Sequence, residues 1–126
     1  MADPVRIAVV DDDAAARRMM RRALERRGHV VLDAPDGRSG VELVTAGNVQ
    51  LLLVDMRMPG ELSGLGVVAE LRANPDLAGL RIVMVSASAK SELLDECELV
   101  GCDAFLTKPV DFDELDTTIH DVLAAP

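Results

Sequence analysis

Apolar residues along this chain fall into two kinds of segment that alternate. The first kind is a short continuous run: Ile7-Ala8-Val9-Val10, Leu51-Leu52-Leu53-Val54 and Ile82-Val83-Met84-Val85. Each ends at a polar or acidic residue, and such runs predict strands buried on both faces. Arg6–Val10, His29–Ala34, Leu51–Asp55, Ile82–Val85 and Ala104–Thr107 make five strands in all. The second kind has helical spacing. In Ala14–Arg27 the apolar positions are Ala16, Met19, Met20, Ala23 and Leu24, set among good helix formers, and Gly28 supplies a stop. Asp13 fits the N-cap of that helix. Asp36 caps a second helix reaching Ala46, with Val41, Leu43 and Val44 inward. Ser63 caps a third that runs to about Asn74, and Pro75–Leu80 is a connector. Lys90–Val100 is the fourth, stopped by Gly101. Asp111 and Glu114 have capping-box spacing and open a fifth that ends at Ala124.

Strand followed by helix, five times with short connections, predicts an α/β fold. The sheet is parallel and doubly wound, with helices on both faces through right-handed crossovers. All strands then point one way, so their C-terminal ends share one edge, where ligands bind in open α/β sheets. That edge collects Asp11 and Asp12, Asp55, Ser86 and Lys108. Three crowded carboxylates repel one another, and a hard divalent cation relieves the repulsion. Mg²⁺ fits, with Mn²⁺ the alternative. Lys108 and Ser86 would face an anion beside the metal, which is equipment for a phosphoryl group. A carboxylate can itself be the nucleophile, giving an aspartyl phosphate.

Composition narrows this picture. The 126 residues make one domain, and with Phe105 and Phe112 as the only aromatics its core must be aliphatic. No apolar run approaches the roughly 20 residues of a membrane span, and no basic-then-apolar leader precedes the first strand, so a cytoplasmic protein is expected. Cys97 and Cys102 read as free thiols. The net charge of −9 argues against sequence-independent binding to nucleic acid. The charge is unevenly placed. Ala14–Arg27 holds six Arg against one Glu, while the fifth helix has five acids and no Lys or Arg. Lys90–Val100 sets one Lys against four acids.

Four motifs occur in order on these alternating elements: Val9-Val10-Asp11-Asp12, Val54-Asp55-Met56-Arg57-Met58-Pro59, Val85-Ser86-Ala87, and Gly101 through Pro109. Together they resemble the CheY-like receiver domain of two-component response regulators, over essentially the whole chain. The resemblance implies a five-stranded (βα)5 flavodoxin-like sheet of order 2-1-3-4-5, spanning residues 1–126 with no output domain. It implies that Asp55 is the phospho-acceptor, Asp12 a direct Mg²⁺ ligand, Asp11 a ligand through water, and Arg57 a donor of its backbone carbonyl to the metal. Ser86, the Ala87 backbone and Lys108 would contact the phosphoryl group. Ser86 and Phe105 would be the switch pair, and the Lys108–Pro109 bond would be cis. A histidine kinase or phosphotransfer protein would dock near the first helix, and a downstream protein at the face of the fourth and fifth helices. DNA and membrane are not expected partners, and the chain would be a monomer or weak homodimer. It would be a phospho-acceptor switch that catalyses only its own phosphorylation and dephosphorylation, not an enzyme in the ordinary sense. Three features depart from the family pattern: a Pro59–Gly64 loop one residue longer, Ser86 in place of Thr, and Phe105 without the hydroxyl of Tyr.

Two other functions compete. Asp11-Asp12-Asp13 contains the D-x-D of haloacid-dehalogenase-type phosphatases, though no Thr or Val follows, the chain has no room for a cap domain, and Asp55 would be idle. A scaffold pseudo-receiver is argued against by the intact Asp12, Asp55 and Lys108. Around the site, His29 and His120 read as surface or helix-end residues, and Phe105 as either switch or plain core. The arginine-rich first helix has two readings. It is a docking surface for an acidic partner, or it pairs locally with carboxylates of the fifth helix, each pair worth little.

Overall fold

The structure is a computed structural model and describes residues 4–125. Its elements are β1 (Arg6–Val10), α1 (Ala14–Arg26), β2 (Val30–Ala34), α2 (Gly37–Ala46), β3 (Leu51–Asp55), α3 (Gly64–Arg72), β4 (Arg81–Ser86), α4 (Ser91–Val100), β5 (Ala104–Thr107) and α5 (Phe112–Ala124), with a 3₁₀ turn at Pro75–Leu77. The sheet is parallel throughout and ordered β2-β1-β3-β4-β5. This is the doubly wound architecture expected from the sequence.

Strand alternation divides the core into two layers. Ala8, Val10, Leu52, Val54, Ile82 and Met84 face α2, α3 and α4. Ile7, Val9, Leu51, Leu53, Val83 and Val85 face α1 and α5, meeting Leu24, Leu115, Ile119 and Val122. Every residue of β3 is buried. Each such large side chain contributes about 1.5–3 kcal/mol by leaving water, so the continuous runs at the sheet centre place β3 in the middle. α2 approaches closely through Gly40, where a Cβ would stand 2.8 Å from Val10 Cγ2. The sequence puts Val41, Leu43 and Val44 inward, but only Val44 is fully buried.

The helix ends show where local rules were overruled. Asp13, Asp36 and Ser63 cap their helices as expected. α3 stops at Arg72, because Asn74 turns to cap the 3₁₀ turn by accepting the Asp76 N–H at 3.0 Å. Asp111 accepts from both Asp113 and Glu114 N–H, at 2.8 and 3.1 Å. No return bond from the Glu114 side chain appears among the described residues, so this is a half-used capping box. α4 closes with Gly101 at φ 107°, a left-handed position that suits glycine. There the Cys102 N–H reaches the Cys97 carbonyl at 3.0 Å and the Gly101 N–H reaches that of Glu98 at 3.2 Å. This is a Schellman closure, and Cys97 and Cys102 occupy its two apolar contact positions.

Candidate phosphoryl-acceptor site

β1 delivers Asp11 to the sheet edge. Its N–H continues the ladder to Ala34 O at 3.2 Å, and its Oδ1 accepts the Asp13 N–H at 2.9 Å. At that tight turn Asp11 is buried and Asp12 exposed, free to reach outward. Asp13 then starts α1 by accepting from Ala15 and Ala16 N–H. Arg17 Nη1 donates to Asp11 O at 2.8 Å, tying the first turns of α1 to the same corner.

β3 delivers Asp55, only 8% exposed. The chain leaves the strand with Met56 N–H donating to Val85 O at 2.9 Å, then returns so that Gly64 N–H donates to Met56 O at 3.0 Å. A Cβ on Gly64 would overlap the Asp55 carbonyl oxygen and stand 2.7 Å from Met56 Cα. Gly64 therefore lets α3 begin directly against the backbone that carries Asp55. Sequence reading missed this residue, because a glycine opening a helix carries no mark of what lies behind it.

Lys108 joins the groups. Its Nζ lies 3.3 Å from Asp55 Oδ2 and 3.4 Å from Asp11 Oδ2. Its N–H donates to Ser86 O at 2.8 Å, and the following bond to Pro109 is cis. Carboxylate oxygens of Asp11, Asp12 and Asp55 all lie within 4.8 Å of one another. Burial first, then the neighbouring Asp11, pushes the Asp55 carboxyl above its ordinary range, against the pull of Lys108 and the Arg57 N–H. Burial acts to lower Lys108, but Asp55 and Asp11 outweigh it and raise the ammonium. One ammonium thus leaves the carboxylate cluster under-neutralised, and an additional cation fits the oxygen set.

The remaining predicted residues stand around this centre. Ser86 is buried at the end of β4, with its Oγ accepting the Ser88 N–H at 3.2 Å. Arg57 and Ala87 are exposed at the β3 and β4 exits. Phe105 is half-buried and packs against the α2–α4 layer. His29 is half-buried and accepts the Val5 N–H, and burial lowers its pKa; His120 is exposed on α5.

The arginines of α1 divide in a way the sequence did not show. Arg17 and Arg21 turn to Asp33 on β2, at 3.6 and 2.8 Å. Among the described residues Arg27, just past the end of α1, is the arginine that crosses to α5, 2.6 Å from Asp116 and 5.8 Å from the Phe112 ring centroid. Arg18, Arg22 and Arg26 form no ion pair among the described residues. Met19 is 61% exposed beside them. It borders a mainly apolar cavity of about 560 Å³ that also touches Met20, Val110 and Phe112 and reaches Asp55 and Lys108.

A family model described as response regulator receiver domain matches residues 7–120. The response regulator MprA of Mycolicibacterium vanbaalenii is 37% identical over 112 residues, covering 89% of this chain and 47% of that protein. The chemotaxis protein CheY of Pseudomonas aeruginosa is 30% identical over 106 residues, covering 83% of this chain and 85% of that one. The crystal structure of Vibrio cholerae chemotaxis protein CheY4 superposes with a TM-score of 0.90 at 26% identity, over 96% of this chain and all of that one. The chain spans about half the length of MprA and 16% of the sensory/regulatory protein RpfC of Xanthomonas campestris, a further relative at 33% identity. No helix among the described residues is long and apolar enough to cross a membrane.

Proposed function

The chain belongs to the response regulator receiver domain family, and from that membership we propose that Asp55 accepts a phosphoryl group from a phosphohistidine and so switches a protein–protein contact. The family is one of phosphoacceptor switches rather than of classical enzymes. The observation that carries the proposal is the bridge of Lys108 to both Asp55 and Asp11 inside a three-carboxylate cluster. An Asp55 oxygen attacks phosphorus, the new P–O bond forms, and the P–N bond of the donor imidazole breaks. Lys108 holds the attacking carboxylate in place and sits beside the incoming phosphoryl oxygens. Mg²⁺, held by Asp11, Asp12, Asp55 and the Arg57 carbonyl, would supply neutralising charge for those oxygens. Hydrolysis of the acyl phosphate returns Asp55. The cytoplasm, where such donors operate, is the compartment this reading implies.

Asp12 is the exposed member of the cluster, and its side chain makes no hydrogen bond or ion pair among the described residues. Asp12→Ala removes one ligand and one charge, so Mg²⁺ affinity is expected to fall at least about tenfold. Titration calorimetry measures it; unchanged affinity would remove Asp12 from the ligand set.

The phosphoryl group brings about −2 charge and three acceptor oxygens to Asp55. Ser86 Oγ now accepts from Ser88, so its hydrogen is free to be donated when the phosphoryl group arrives. As Ser86 closes, Phe105 follows inward, coupling the site to α4, β5 and α5. That face is acidic, so the downstream partner presents a basic or neutral protein surface, and DNA is not bound there. The phosphodonor protein docks near α1, where Met19 and the unpaired arginines border the cavity leading to Asp55. Ser86→Ala is expected to take up phosphate on Asp55 yet lose most of the gain in partner affinity, since a partner shifts the switch only by preferring one state. Equal affinity of the phosphorylated variant and parent, measured by partner capture, would take the switch away from Ser86.

A further inference from the structure

We propose that the face formed by α1 and α5 is an interface between two copies of this chain, related by a two-fold axis parallel to the two helices. The face carries opposite charges in adjacent stripes. On α1, Arg18, Arg22 and Arg26 are exposed, recur every four residues, and have no ion-pair partner among the described residues. They line one groove with Met19 and Phe112. On α5, alongside, Asp113 is exposed with no ion pair among the described residues, and Asp116 is half-exposed beside it, joined to Arg27. The seam between the stripes is formed by Met19 and the half-buried Phe112, with Arg27 lying over the Phe112 ring and already neutralised by Asp116 of its own copy.

Such a surface is complementary to itself under one symmetry. Rotation about an axis parallel to the helices and lying in the interface carries the α1 stripe of one copy onto the α5 stripe of the other. The same rotation brings the two Met19–Phe112 seams together at the centre. An axis across the helices would set Arg on Arg. The arrangement is isologous, so it closes as a dimer and does not extend into a fibre. It places Met19 and Phe112 at the centre and charge at the rim, the usual layout of a specific interface.

Size fixes the strength. Two 13-residue helices present a face about 20 Å long and about 20 Å across, so the dimer buries about 800 Å² in total. That lies below the roughly 1,200 Å² at which stable complexes begin, and the association is weak and reversible. The net charge of −9 opposes it, but charges farther apart than about 8 Å are screened at physiological salt while contact pairs are screened less. Closure of this dimer covers the same α1 surface that the phosphodonor protein needs, so self-association and phosphotransfer compete.

The test needs no phosphodonor, so it stands or falls apart from the role of Asp55. Sedimentation equilibrium of the full chain should show a monomer–dimer equilibrium that weakens at least about tenfold between about 0.1 and about 1 M NaCl. Arg22→Glu and Asp113→Lys alter exposed side chains that make no hydrogen bond or ion pair among the described residues, so both variants should fold. Each alone should be monomeric, because like charges then face each other twice. An equimolar mixture should recover the dimer as a heterodimer, because both cross-pairs become attractive. A parent that stays monomeric at millimolar concentration, a dimer that persists in Arg22→Glu, or a mixture that stays monomeric would each overturn the proposal.

Discussion

Replacing Asp55 with Asn is expected to abolish phosphoryl uptake while making the metal-free fold more stable. The first effect follows from chemistry, since an amide oxygen cannot form the acyl phosphate. Incubation with acetyl phosphate and Mg²⁺ should add one phosphate to the parent and none to the variant, read by intact mass. Labelling that survives in the variant would move the nucleophile elsewhere, with Asp11 the first residue to examine. The second effect follows from burial. Desolvation and Asp11 together outweigh Lys108 at Asp55, so ionising this carboxyl costs more in the folded state than in the unfolded one. A raised folded-state pKa gives stability that is fully present below the ordinary carboxylate value. That stability is lost as pH rises through the raised value. Asn is neutral at every pH and should remove that loss. In the presence of a chelator, the melting temperature of the parent should fall across this window by more than that of the variant. At neutral pH the variant should melt higher. A variant that melts lower at neutral pH would mean that the Lys108 ion pair outweighs burial.

Gly64→Ala should be among the most damaging single substitutions in the chain. The added methyl would overlap the Asp55 carbonyl oxygen and crowd Met56 Cα, and both obstacles are backbone that cannot rotate away. α3 must therefore retreat, or the β3 exit must shift. Overpacking of this kind costs about 3 kcal/mol, which in a domain of this size lowers the melting temperature by roughly 10 °C. Because the obstructed backbone carries Asp55, the surviving folded protein should also bind Mg²⁺ more weakly. Gly79→Ala is the matched control, since a Cβ there meets nothing within 4 Å and φ is unexceptional. Denaturant midpoints compare the two. If Gly64→Ala unfolds at the parent midpoint, the close approach of α3 to Asp55 is not a structural necessity.

Much of this architecture could be read from the sequence, for physical reasons. Leu51–Val54 and Ile82–Val85 are unbroken apolar runs because both faces of a central parallel strand are covered. Helical spacing identifies the layers that cover them. Parallel strands then force Asp11, Asp55, Ser86 and Lys108 to one edge. The strand order is different in kind: an apolar run does not say which neighbour it pairs with, and 2-1-3-4-5 came from the family resemblance. What escaped the sequence depends on chain segments that are distant along it. Asp33 captures Arg17 and Arg21 because β2 lies beside α1, while Arg27 at the end of α1 reaches Asp116 on α5. Gly40 and Gly64 look like helix weaknesses until the backbone or strand they touch is known. Asp11 is held inward by bonds to Ala34, Arg17, Lys108 and the Asp13 N–H, while Asp12 stays exposed, a division that residue type alone does not specify.

The Schellman closure of α4 puts a clock into the end of that helix. Cys97 is 2% exposed, and the Cys102 thiol is pushed up to about 12, chiefly by burial and then by Cys97. Burial raises the Cys97 thiol as well, and since only the thiolate reacts, both sulfurs are slowed while they stay covered. Cys97 belongs to the core layer under α4 while Cys102 is already partly exposed, so it is modification of Cys97 that requires the helix terminus to leave that core. Modification of Cys97 by a maleimide in excess therefore counts openings of the α4 terminus, in the way that amide exchange counts them elsewhere. Both thiols are native, so the count needs no engineered probe. Since α4 borders the acidic face proposed for the downstream partner, comparing the rate before and after phosphate uptake on Asp55 tests whether the signal reaches this end of the helix.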